Sequence, residues 1–126
     1  MDADTFARLA RAEYDALPDD VRALTADVEL RIADTAPDDV LDEMDIEDPM
    51  DLLGLFVGIG LAEGGGAAHT GEAPNRVWLY RLPILAFQAG GEDTLQAVIR
   101  HVLVHELGHH FGLSDDDMYA IDDEPD

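Results

Sequence analysis

The sequence predicts one domain that mixes helices and strands, on three observations. Apolar residues recur at helical spacing in residues 4–17 and again from Thr94 to Phe111. "VELRI" (28–32) alternates apolar and charged residues, the pattern of a strand with one buried face. "RVWLY" (76–80) is β-branched and aromatic, which suits a second strand. With 126 residues the chain can build a real core but not a two-lobed enzyme. The domain is expected over residues 1–121, with 122–126 as a disordered acidic tail.

Each element has a local reason. In helix 4–17, Phe6, Leu9, Ala10 and Leu17 share a face, and Pro18 stops the helix. "PDDVLDEM" (37–44) places proline in a first turn with acids behind it, predicting a short helix. "LLGLFVGIGL" (52–61) is a continuous apolar run with interspersed glycines, read as a buried strand that something approaches closely. Residues 62–75 have the composition of a loop, and 82–91 that of a short helix or turn. The strongest helix runs from Thr94 to Phe111, with capping-box spacing at Asp93 and Gln96 and Gly112 just past its end. Leu95, Val98, Ile99, Val102, Leu103, Leu107 and Phe111 cover much of its circumference, so it should be central.

Composition removes many chemistries. The chain has no cysteine, hence no disulfide, no thiolate nucleophile and no Cys-ligated zinc. Its seven basic residues are all arginine, which excludes a Walker-type loop and Schiff-base chemistry. Ser114 is the only serine and lies in no GxSxG elbow. "GGGAAHTG" lacks the spacing of a phosphate cradle. A net charge of −22 argues against nucleic acid as a partner. That acidity has two readings: a bias of a salt-adapted or GC-rich source, or a surface that attracts cations or basic peptides. No apolar leader or bilayer-length run occurs, so a cytoplasmic protein without membrane contact is expected.

The chemistry concentrates in "HELGHHFGLSDDD", residues 105–117. His105 and His109 are four apart and share a helix face, so both imidazoles can reach one tetrahedral cation at roughly 2 Å. Glu106 stands between them, where it can stay off the metal and take a proton from water. Zinc lowers the pKa of such a water to about 7 and polarises a carbonyl. The bland reading is two ordinary helix histidines and a surface glutamate. Against it, the motif ends a long buried helix, where imidazoles need partners.

A catalytic zinc takes a third protein ligand. Residues 105–115 fit HExxHxxGxxD, in which Gly112 lets the chain reverse and return Asp115 to the metal, with Asp116 the second candidate. Alternatively, Ser114 and Asp117 cap a last helix with Asp115 and Asp116 in its first turn; the two readings are compatible. His101 lies too far along the axis for the same ion and suits packing or support of a ligand. His110 points about 100° from His109 and reads as structural. His69 and Tyr119 are weaker candidates for contacting a substrate carbonyl or an oxyanion.

Three segments, "LLGLFVGIGL", "PNRVWLYRLPIL" and "VHELGHHFGLSDDDM", together with their order and spacing, resemble the small bacterial zincin-like metallopeptidases of type 1, or minimal zincins. The resemblance covers roughly residues 28 to 119. It implies a compact α+β zincin-like fold, with a small mixed sheet packed against a central HExxH helix. It also implies His105, His109 and Asp115 as ligands of one zinc ion, and Glu106 as the catalytic acid/base. Met118 comes too soon after Asp115 to serve as a separate methionine turn. The expected function is hydrolysis of a peptide or protein substrate by zinc-activated water. The alternative is a metal-stabilised binding or regulatory module with little turnover, since a fold alone does not fix function.

Overall fold

A computed structural model describes residues 1–58 and 75–110, the last two by backbone alone. The chain opens with α1 (Ala3–Asp15) and α2 (Asp19–Leu24), then β1 (Val28–Ala33) and α3 (Asp38–Glu43). A single 3₁₀ turn, Pro49–Asp51, leads into β2 (Gly54–Gly58). After it come β3 (Asn75–Tyr80), α4 (Arg81–Ala89) and α5 (Leu95–His110). The expectation of an α+β domain with a small mixed sheet against the HExxH helix holds. The expected loop at 62–75 and the tail at 122–126 fall outside the described residues, except Asn75, which opens β3.

Local chemistry explains the helix ends. Asp2 caps α1 by accepting the Thr5 N–H at 2.8 Å. Pro18 does stop α1, and it also starts α2, where its carbonyl accepts the Arg22 N–H at 3.0 Å and Asp19 and Asp20 fill the first turn. The Thr25 hydroxyl donates to Val21 O at 2.9 Å and shares a 2.7 Å hydrogen bond with Tyr14 Oη, which also donates to Thr25 O at 3.2 Å. That chain of bonds ties α2 to α1. Pro37 sits just before α3 as its N-cap rather than inside its first turn.

The sheet has the order β1-β3-β2, with β1 parallel and β2 antiparallel to β3. Register puts Leu30, Val77 and Phe56 in one row and Arg31, Trp78 and Leu55 in the next. Because side chains alternate, these rows serve opposite faces. The first face joins Phe6, Ala10, Ile84, Ile99, Leu103 and Leu107 in the main core. The second carries Tyr80 with Leu41 and Leu52 in a smaller cluster, where Trp78 also packs.

Within the apolar run at 52–61, Gly54–Gly58 form β2, whose Gly54 and Phe56 are buried as the composition suggests. Among the described strands β2 pairs with β3 alone, and Val57 is 39% exposed. Both faces of β2 meet apolar layers, which accounts for its apolar sequence.

α5 is the central helix that its periodicity predicts, with Ile99 and Leu103 fully buried and Val98, Val102, Val104 and Leu107 nearly so. Burial of such side chains contributes about 1.5–3 kcal/mol each. Its start differs from the expected capping box. Thr94, not Asp93, is the cap: its Oγ1 accepts the Ala97 N–H at 3.1 Å, and its carbonyl accepts the Val98 N–H at 3.1 Å. The stretch 82–91 resolves as helix α4, which begins directly from the last residue of β3 and holds Pro83 in its first turn, where no N–H is missed.

Candidate metal and catalytic site

His105, Glu106 and His109 all lie in the last part of α5, where that helix passes beneath β2. The close approach depends on Gly54. A Cβ there would lie 2.6 Å from Val102 Cγ1 and 3.0 Å from the Trp78 carbonyl oxygen, with Glu106 Cγ at 3.6 Å. Only a residue without a side chain allows this spacing. The glycine-rich apolar run thus does hold a close contact, and its partner is the motif helix.

Glu106 is half-buried, and its Oε1 accepts the backbone N–H of Phe56 at 3.2 Å. In the antiparallel ladder Leu53 O already accepts from Tyr80 N, so alternate residues Gly54, Phe56 and Gly58 turn their main-chain groups outward. The glutamate therefore meets the edge of β2 that faces away from β3. A hydrogen bond to the carboxylate favours its charged form. Tyr80 feels the same group: burial, and then the negative charge of Glu106, push its phenol above the ordinary 10.0.

His105 is half-buried, and its ring lies against that of His101, with centroids 4.1 Å apart and planes at 42°. His101 itself is exposed. It is thus in contact with a candidate ligand, the packing role its spacing suggested. The backbone of His109 is helical one turn beyond His105, so both residues stand on one face. The side chains of His109 and His110 lie outside the described residues, as do Asp115, Asp116, Gly112, His69 and Tyr119. Among the described residues no group of three or more metal-binding side chains occurs. The donor types in the sequence nevertheless suit zinc: two imidazoles at helical spacing, with aspartates following in the sequence and Glu106 engaged by β2.

A family model described as zincin-like metallopeptidase matches residues 25–124, most of the chain. The chain belongs to this family. Comparison with curated proteins found no match. The match spans the sheet, α4, α5 and the HExxH motif, and it begins after α1, although Phe6 and Ala10 of that helix are fully buried in the core shared with α5. Within the described residues no helix is long and apolar enough to cross a membrane.

Three features of the site escape residue-type reasoning. The Phe56 N–H is a main-chain group that any residue would supply. Tyr80 sits in a strand and reads as core. Gly54 carried a signal, an isolated glycine in an apolar run, but that signal names no partner.

Proposed function

We propose that the protein is a zinc-dependent peptidase in which His105, His109 and Asp115 hold one zinc ion and Glu106 is the general acid/base. The observation that carries this reading is the hydrogen bond from Phe56 N to Glu106 Oε1, which joins the proposed acid/base to the edge of β2 that faces away from β3. An extended peptide adding to that edge as a further strand would bring its backbone to Glu106 by register. When bound, zinc supplies a Lewis acid that polarises the scissile carbonyl and makes water a ready nucleophile at neutral pH.

Glu106 then takes a proton from the attacking water and returns it to the leaving amine. The Phe56 N–H fixes the orientation of the carboxylate and favours its ionised form, the form that accepts a proton. His101, packed on the His105 ring, limits how that imidazole can turn. The half-burial of both Glu106 and His105 reduces competition from bulk water.

The test combines a peptide-library cleavage assay with metal analysis of protein purified without added zinc. Glu106→Gln is expected to keep its zinc and lose cleavage by about 10²–10⁴-fold. His105→Ala, His109→Ala and Asp115→Ala should lose the zinc, whereas Asp116→Ala and Asp117→Ala should retain it. Cleavage that survives Glu106→Gln would sink the mechanism. Stoichiometric zinc with no peptide cut would favour a metal-stabilised binding module.

A further inference from the structure

A cavity of about 410 Å³ opens beside α5 one turn before His105. Its apolar wall is formed by Leu53, Phe87, Ala97, Val98 and Val102, and its polar wall by Asp93 and His101. It adjoins the proposed site on two sides. His101 stacks against His105, and Val102 shares with Glu106 the space left by Gly54. Leu53 immediately precedes β2, so a peptide laid along that edge passes the mouth of the cavity.

We propose that this cavity receives the side chain of an arginine or lysine of the peptide substrate, with Asp93 taking its charge. Asp93 is thereby a specificity-determining residue. The inference rests on the peptidase reading and adds to it the class of substrate. The chemistry of the wall suits a residue with a long aliphatic stem and a cationic end: five apolar side chains for the stem, one carboxylate for the charge.

Asp93 is available for that role. The cap of α5 is supplied by Thr94, so the Asp93 carboxylate is not spent on the helix start. Its backbone carbonyl accepts from Gln88 Nε2 at 3.4 Å, which fixes the residue without using its side chain. The pairs of Arg22 with Asp19, of Arg31 and Arg76 with Glu29, and of Arg81 with Asp34 leave Asp93 out. No arginine lines the cavity, and a chain of net charge −22 without lysine presents an attractive field to a cationic segment.

The experiment has a cleavage arm and a binding arm. In the first, zinc-loaded wild type is given matched peptides with arginine, lysine, norleucine or leucine at each position around the cut. Arginine and lysine are expected to exceed norleucine at one position by about fivefold, as for a partly exposed ion pair. Asp93→Asn should bring that ratio to one, and Asp93→Glu should restore it. In the second, the arginine and norleucine peptides are titrated into zinc-loaded Glu106→Gln, with and without Asp93→Asn, so that binding is read without turnover.

Cleavage with no basic preference, or with one unchanged by Asp93→Asn, overturns the assignment and leaves the peptidase reading intact. If wild type cuts nothing, the peptidase reading fails and the binding arm decides the cavity alone. An arginine preference erased by Asp93→Asn then upholds the assignment, and equal or absent binding of the two peptides overturns it.

Discussion

A methyl group at position 54 has nowhere to go. One of its neighbours, the Trp78 carbonyl oxygen at 3.0 Å, is backbone of the central strand, and another, Val102 Cγ1 at 2.6 Å, belongs to a buried side chain on α5. Gly54→Ala should therefore cost about 1–3 kcal/mol in urea denaturation, the range for overpacking a filled interior. It should also lower peptide cleavage, because the β2–α5 gap it widens is the one bridged by Phe56 and Glu106. A variant as stable as wild type would show that the helix can withdraw freely. Tyr80 gives a second test at this scale. Its phenol titrates above the ordinary 10.0 in the folded protein, through burial first and the Glu106 charge second. A folded value raised above the unfolded one gives stability that is full below about pH 10 and lost as pH rises through the folded value. The chain has no lysine or cysteine, so its three tyrosines are the side chains that titrate in that window. Tyr80→Phe should flatten the fall in urea midpoint between about pH 9 and about pH 11. An unchanged alkaline slope would remove Tyr80 as its source.

At the scale of elements, the start of α5 separates two adjacent residues that sequence alone treats as one signal. Asp93 and Gln96 have capping-box spacing, yet Thr94 Oγ1 makes the bond to the Ala97 N–H. Thr94→Ala should destabilise by about 1 kcal/mol, whereas Asp93→Asn should leave the urea midpoint unchanged. Equal losses would mean that Asp93 shares the cap. The same contrast marks what was legible. α1, β1 and α5 follow from periodicity, and β3 from β-branched and aromatic composition, that each segment carries within itself. α2 escaped because its six residues after Pro18 are too few to show a helical repeat. The pairing of β2 with β3 rather than β1 escaped because it depends on a later segment lying between β2 and β1. The motif of the candidate site was legible because its spacing is local to one helix. The partner of Glu106 was not, since it is a main-chain N–H on another element, fifty residues earlier in the chain.

At the scale of the whole molecule, charge sets two opposed responses to salt. Net −22 over one small domain makes the folded state repel itself, and few arginines counter it. Glu29 illustrates the exception: hydrogen bonds from Arg31 and then Arg76 hold its carboxyl below the ordinary 4.5, and they tie β1 to β3 on the outer face of the sheet. The remaining acids are mostly solvated, and their mutual repulsion is long-ranged. Sodium chloride shortens that range from about 30 Å at 0.01 M to about 8 Å at 0.15 M, less than the width of the domain. The melting temperature of metal-free protein should therefore rise by several degrees over that interval and change little beyond it. The attraction of a cationic peptide is screened by the same ions, so its association should slow and its affinity fall along the same titration. A neutral norleucine peptide should not respond in this way. The two curves test one cause. If the melting temperature rises while binding of the arginine peptide stays constant, the field of the molecule does not reach the cavity, and recognition there is confined to contacts at Asp93. If both move together, the acidity that destabilises the fold also recruits its substrate.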